Sequence, residues 1–139
     1  MTFNSSDNHL GEWQNSFCIG NETLDNQHKT LLKICVKLRE CLNEEPINGD
    51  LRFHEILNDL SFYAKLHFRT EETILRLKIS PFISSHIAEH NEYFVWLEAL
   101  MFEATQGRID KESLLRRIIE WWVEHICMSG ETCRSSLAD

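Results

Sequence analysis

The stretch that decides the fold is residues 57–75, LNDLSFYAKLHFRTEETIL. Its apolar residues recur three and four positions apart, as they do on one face of a helix, and a histidine and a glutamate fall on the same face. This stripe consists of Leu57, Leu60, Ala64, His67, Glu71, Ile74 and Leu75. We expect Pro81 to close the helix, because proline cannot continue one and biases the preceding residue away from helical angles.

Three further stripes of the same periodicity predict three further helices. They consist of Leu24, His28, Leu31, Leu32, Cys35, Leu38 and Leu42; of Ile83, His86, His90, Phe94, Leu97 and Met101; and of Leu114, Leu115, Ile118, Trp122, His125 and Ile126. Residues 43–49 are predicted to be a loop, since they contain a proline and an Asn-Gly pair. Gly107 is a candidate C-cap and Asp110 a candidate N-cap, and we expect the last helix to fray around Gly130.

Four amphipathic helices joined by short loops predict an all-α fold, an up-down-up-down antiparallel four-helix bundle. We expect the bundle over about residues 23–130, after an irregular N-terminal arm at residues 1–22 that Trp13 and Phe17 can anchor. A length of 139 residues suits one domain. Five glycines and two prolines are too few for the many tight turns of an all-β sandwich or barrel.

The charge and the cysteines exclude several classes of partner and site. The chain has 14 basic and 22 acidic residues, a net charge of −8, which argues against nucleic acid and against an anionic membrane surface. Its five cysteines form no C-x-x-C pair and fit a reducing compartment. The sequence has no basic, apolar start typical of a signal peptide and no apolar run of about 20 residues, so we expect a cytoplasmic protein. Its oligomeric state is left open.

Five of the seven histidines fall on the apolar stripes, and so does one glutamate. These residues are His28, His67, Glu71, His86, His90 and His125. A single buried histidine is ordinarily satisfied by a backbone carbonyl, but five with a carboxylate would be costly in an apolar core. A metal removes that cost by taking one nitrogen of each ring, and nearby acceptors can take the remaining ring N–H groups. His9 and His54 lie off the stripes and are expected to be ordinary surface residues.

The number and type of these candidate ligands indicate a pair of metal ions. Six ligands exceed what one tetrahedral zinc ion takes, and bundle cores commonly hold two ions between facing helices. Ligands rich in imidazole and free of thiolate are compatible with iron, and also with zinc, copper or manganese.

Four fragments of the sequence resemble motifs of a known family. They are LDNQH at residues 24–28, HFRTEE at 67–72, HIAEH at 86–90 and WVEHI at 122–126. In this order they are similar to the D-x-Q-H, H-F-x-x-E-E, H-x-x-x-H and W-x-x-H-I motifs of the bacterial hemerythrins. The arm, with Trp13 and Ile19-Gly20-Asn21, is similar to the segment that precedes those motifs. The chain therefore resembles a single hemerythrin-like domain over residues 1–139.

The resemblance implies a non-haem di-iron site, bridged by an oxo or hydroxo group and by two carboxylates, that binds O2 reversibly. It implies that His86, His90 and His125 hold one iron, that His28 and His67 hold the other, and that Glu71 bridges them. We expect the pocket to be lined and kept dry by Phe68, Phe94, Trp122 and Ile126.

The sequence departs from the family at the second bridging carboxylate. The family has an aspartate five residues after the last histidine, and here that position is Gly130. Glu131 is a possible replacement carboxylate, although it is one place later, a rotation of about 100° on a helix, and one methylene longer. Without a replacement, about three of the twelve positions of two octahedral ions stay open.

Three functions therefore remain open at this point. The first is O2 carriage, storage or sensing by a di-iron protein. The second is a di-iron oxidase or oxygenase acting on a small molecule through the positions opened at Gly130. The third is a degenerate member that keeps one metal ion, or zinc, for structure or for partner binding.

Overall fold

The fold of residues 10–137 is given by a computed structural model, in which the side chains of residues 46–48 and 130–137 are not described. The helices are α1 (Glu22–Cys41), α2 (Pro46–Leu77), α3 (Ile83–Thr105) and α4 (Lys111–Leu137), and a short 3-10 turn (Asn15–Phe17) precedes them. The described residues contain no strand, and the predicted all-α four-helix bundle is confirmed. None of the helices within residues 10–137 has the length and apolar character needed to cross a membrane.

The helix ends follow local hydrogen bonding that the sequence largely predicts. The Asn21 side chain accepts a hydrogen bond from Leu24 N (3.0 Å), and Asp110 accepts one from Ser113 N (2.7 Å), so both cap a helix. Gly107 has a φ of +73° and ends α3. There the Arg108 N–H donates to Glu103 O (3.0 Å), which is the hydrogen bond of a Schellman cap. The predicted caps at Asp110 and Gly107 are confirmed.

Two of the predicted boundaries are wrong. Residues 46–49 form the first turn of α2 rather than part of a loop, because Pro46 occupies the first helical position, where its missing N–H and fixed φ suit the helix. Gly49 lies so close to α1 that an added Cβ would stand 2.8 Å from Cys41 O, which explains the glycine. The last helix does not fray around Gly130 but continues to Leu137.

The turn between α2 and α3 contains a strained residue. α2 ends at Leu77, ahead of Pro81, because Ile79 takes a φ of +51°. The Ser80 N–H then donates to Leu75 O (2.9 Å), as in a glycine-ended helix. A β-branched residue is unfavourable in this left-handed conformation, and the Ile79 side chain is 89% exposed, so it gains little from packing.

We therefore expect Ile79→Gly to raise the free energy of unfolding by about 1 kcal/mol, since glycine adopts this φ without strain. Urea denaturation of the metal-free protein measures the change. The matched control is Gly107→Ala, which places a side chain at the other left-handed helix end and is expected to cost about 1 kcal/mol. An unchanged or lower stability of Ile79→Gly would show that the turn is not strained.

The buried residues form two apolar clusters of unequal size. The larger fills most of the bundle and includes Trp122, Tyr93 and Phe17, the last of which anchors the arm as predicted. On α3, Tyr93 and Leu100 are buried, whereas Phe94 and Met101 are only partly buried at its edge. The smaller cluster consists of Ile19, Leu24 and Leu75, packed against Ile74 and Ile83. His28 follows Leu24, and His86 follows Ile83, by about one helical turn.

Candidate metal centre

The six predicted ligands come together inside the bundle. Each is at most 4% exposed, and all four helices contribute. α1 provides His28, α2 provides His67 and Glu71, α3 provides His86 and His90, and α4 provides His125. The pairs separated by four residues stack on one face of their helix, which directs both members inward.

One group of ligand atoms surrounds one oxygen of Glu71. The Nε2 atoms of His28 and His67 lie 3.1 Å apart, and those of His67 and His125 lie 3.4 Å apart. Glu71 Oε2 is 3.4 Å from the Nε2 atoms of both His67 and His125. Three imidazoles and a carboxylate oxygen thus lie within 4.8 Å of one another, close enough to share a metal ion.

A second group surrounds the other oxygen of the same carboxylate. Glu71 Oε1 lies 2.5 Å from His86 Nδ1 and 3.4 Å from His90 Nε2. Glu71 is therefore common to both groups, with one oxygen directed to each. The structure groups His125 with His28 and His67, whereas the resemblance assigns it to the ion held by His86 and His90.

Three of the histidines are oriented by acceptors outside the cluster. His67 Nδ1–H donates to Gln27 Oε1 (2.8 Å), His90 Nδ1–H to Glu72 Oε2 (2.7 Å) and His125 Nδ1–H to Glu89 Oε1 (3.0 Å). Each bond fixes the tautomer and turns Nε2 toward the centre of the bundle. The sequence predicts that such acceptors exist but does not identify them, because they lie off the inward stripes.

An aromatic wall separates the cluster from the larger core. Phe68 stacks on the His90 ring, with centroids 4.0 Å apart, and on Trp122 (5.4 Å). Trp122 is fully buried and donates through Nε1 to Tyr93 Oη (3.2 Å). Trp121, which is not among the predicted pocket residues, stacks on His125 with centroids 5.2 Å apart.

The other residues singled out in the sequence are Ile126, Phe94, His54, His9 and Glu131. Ile126 is fully buried beside His125 in sequence, while Phe94 lies behind Phe68, with centroids 5.7 Å apart. His54 is exposed on α2, as expected of a surface residue. His9 lies outside the described residues, and Glu131 lies outside those with described side chains.

Three polar atoms of the cluster are buried without a hydrogen bond. Within the described part of the chain, His28 Nδ1, Glu71 Oε2 and His90 Nε2 have no hydrogen-bond partner. Buried polar atoms are rarely left in this state, since each costs about 1–3 kcal/mol. A bound cation would satisfy Glu71 Oε2 and His90 Nε2, and imidazole nitrogens with carboxylate oxygens are suitable donors for iron and other first-row metals. The residues present therefore fit a metal site.

Comparison with known proteins identifies the family. The family model described as "Hemerythrin HHE cation binding domain" matches residues 19–129, a range that includes all six clustered ligands. The chain belongs to the hemerythrin family.

Two curated relatives that are similar to this hemerythrin domain are both named bacteriohemerythrin. It is 28% identical to a "Bacteriohemerythrin" of Clostridium acetobutylicum over 117 residues, which cover 82% of this chain and 91% of that protein. It is 29% identical to a "Bacteriohemerythrin" of Campylobacter jejuni over 83 residues, 60% of this chain and 61% of that protein. No solved structure gives a significant match.

In the hemerythrin domain, burial and two neighbouring carboxylates have opposite effects on the pKa of His125. Burial by itself lowers the pKa of His125, but the Glu71 and Glu89 carboxylates outweigh it and raise that pKa to about 9. Burial likewise opposes ionisation of Glu71, yet the surrounding histidines, His125 foremost, hold its pKa well below the usual range. In the metal-free protein at neutral pH, a proton on His125 thus takes the place of a cation.

We expect metal binding to release this proton at pH 7.5, since a histidine must be deprotonated to bind a metal through Nε2. Titration calorimetry with Zn2+ in buffers of different ionisation enthalpy measures the number of protons released. Above pH 10, where His125 has already lost its proton, this number should be about one per chain lower than at pH 7.5. The matched variant Glu89→Gln should lower the release at pH 8.5, because it removes one of the two carboxylates that raise the pKa. Equal release at pH 7.5 and above pH 10 would contradict the assignment.

Proposed function

We propose that this hemerythrin domain holds two iron ions at the six-residue cluster and binds O2 there, in O2 carriage, storage or sensing. The observation that carries the proposal is the position of Glu71, whose two oxygens face two separate groups of imidazoles. Two ions linked by one carboxylate fit this arrangement, whereas a single ion would leave one group of histidines unused. The name of the relatives, bacteriohemerythrin, supports iron as the metal.

An iron pair bound here would supply the redox chemistry of reversible O2 binding, and the residues of the chain would hold the ions and shape their surroundings. The five imidazoles and Glu71 hold the ions. Gln27, Glu72 and Glu89 orient three of those imidazoles through their Nδ1 atoms. Phe68 and Trp122 exclude water from the side that faces the core, which favours release of O2 unreacted.

Iron content together with an absorption spectrum tests this function. We expect about two irons per chain and a charge-transfer band in air that disappears on deoxygenation and returns on re-exposure. A colourless, iron-free protein from iron-replete cells would contradict the proposal. One metal ion per chain, or zinc alone, would instead support a degenerate structural member of the family.

A di-iron oxidase or oxygenase acting on a small molecule is the second candidate function. It is favoured by the donor count: among residues with described side chains, Glu71 is the only carboxylate in either ligand group. Position 130 has no side chain to supply another. Open coordination positions would let a substrate reach the centre, where the metal pair would activate O2.

A further inference from the structure

The smaller apolar cluster lies one helical turn away from three of the clustered polar residues. Its two helical members, and Ile83 which packs against them, lie three or four residues from a candidate ligand on their own helix and are therefore one turn away. These pairs are Leu24 with His28, Leu75 with Glu71, and Ile83 with His86. Ile19 of the arm joins the same layer and is 1% exposed. α1, α2 and α3 thus each contribute an apolar side chain next to the metal ligands.

On α4, the residue one turn away from the candidate ligand is a serine, Ser129, rather than an apolar residue. Ser129 follows His125 by four residues and is therefore one turn beyond it on the same face. Its side chain is fully buried, and within the described part of the chain its Oγ has no hydrogen-bond partner. Because Cα–Cβ bonds tilt toward the helix N-terminus, the Ser129 side chain leans toward the turn that carries His125.

Other hydroxyl groups of the bundle are satisfied in ordinary ways. Thr70 and Thr73 donate to the backbone carbonyls four residues before them (2.9 and 2.8 Å), as helical serines and threonines commonly do. Ser80, 5% exposed in the α2–α3 turn, accepts from Phe82 N (3.2 Å). The hydroxyl of Ser129 makes neither kind of bond, although a buried polar group without a partner is unfavourable.

We infer that the Ser129 hydroxyl donates a hydrogen bond to a small ligand with an acceptor atom, such as O2, hydroxide or an anion, held at the metal centre. This inference rests on the proposed function. The next residue, Gly130, has no side chain and would offer no carboxylate to a metal pair held by the cluster, and Ser129 lies on the same turn of α4. Ser129 is thus a positioning residue that orients the ligand taking the place of that carboxylate.

Azide binding to the oxidised, iron-loaded protein tests this role. In Ser129→Ala we expect an unchanged iron content and an azide dissociation constant raised about fivefold, the effect of one lost hydrogen bond. Ser129→Thr, which keeps the hydroxyl, should retain the wild-type constant within about twofold. In the metal-free protein, Ser129→Ala should not lower the free energy of unfolding, because no hydrogen bond within the protein is lost.

Ser80→Ala is the matched control, since it removes a buried serine hydroxyl that does have a partner. It should lower the stability of the metal-free protein and leave azide binding unchanged. Equal azide affinities of wild type and Ser129→Ala at full iron content would overturn the inference about Ser129 but not the proposed function. So would equal weakening by alanine and threonine, or a loss of metal-free stability in Ser129→Ala. A wild-type protein that takes up no metal would overturn the proposed function as well.

Discussion

Replacing Glu71 by glutamine is expected to abolish the two-ion centre. The carboxylate has one oxygen directed to each group of imidazoles, and the amide of glutamine carries no charge and binds metal poorly through its nitrogen. The number of bound ions should fall from two to at most one. The affinity for the remaining ion should fall by at least about 100-fold, beyond the loss typical of residues that only orient a ligand.

Equilibrium dialysis followed by metal analysis measures both effects. The matched control is Glu72→Gln, which changes the neighbouring glutamate in the same way. The Glu72 carboxylate accepts from His90 Nδ1 and belongs to neither ligand group, so this variant should keep two ions with affinity lowered by about 10- to 100-fold. If Glu71→Gln retained two ions with wild-type affinity, Glu71 would not join the two groups.

Replacing Gly130 by aspartate should have the second largest effect, because it restores a carboxylate where the resemblance places one. α4 is helical at this position, so the new residue requires no change of backbone conformation. We expect iron to be lost to a chelator at least about tenfold more slowly, since the two ions gain an anionic ligand. We also expect a longer-lived O2 complex and, if the wild type oxidises a small molecule, a weaker oxidase activity.

Gly130→Asn is the control, because asparagine has nearly the same shape as aspartate without its charge. Stopped-flow mixing with a chelator gives the rate of iron loss, and the visible band gives the lifetime of the O2 complex. A slower loss in both variants would indicate a gain in helix stability rather than a new ligand, because glycine is unfavourable inside a helix. If Gly130→Asp changes neither O2 binding nor oxidation, the second candidate function is wrong.

Helical phase was sufficient to place the six clustered residues, because burial in a bundle follows the period of the helix. His67 and Glu71 are in phase with Leu60 and Ala64, and the structure buries all four. On α3 the same reasoning placed Phe94 on the buried face, whereas the structure buries the preceding residue, Tyr93. Tyr93 and Phe94 are adjacent aromatic residues, about 100° apart on the helix, and the apolar pattern alone does not decide which faces inward.

The residues that orient the histidines could not be identified in this way. Glu72 and Glu89 lie on the flanks of their helices and reach histidines of a neighbouring helix, so finding them requires knowing how the helices pack. The end of α2 could not be predicted either, because it depends on Ile79, and isoleucine is among the residues least expected at a positive φ. Pro46 was ambiguous because proline is common both in loops and at the first position of a helix.

Above all, we propose that the buried cluster holds two metal ions joined by Glu71. The most direct test is anaerobic titration of the metal-free protein with Fe2+, with bound iron counted per chain. We expect the wild type to saturate at two ions per chain and Glu71→Gln to saturate at no more than one. Saturation of the wild type at one ion, or no uptake at all, would contradict the proposal.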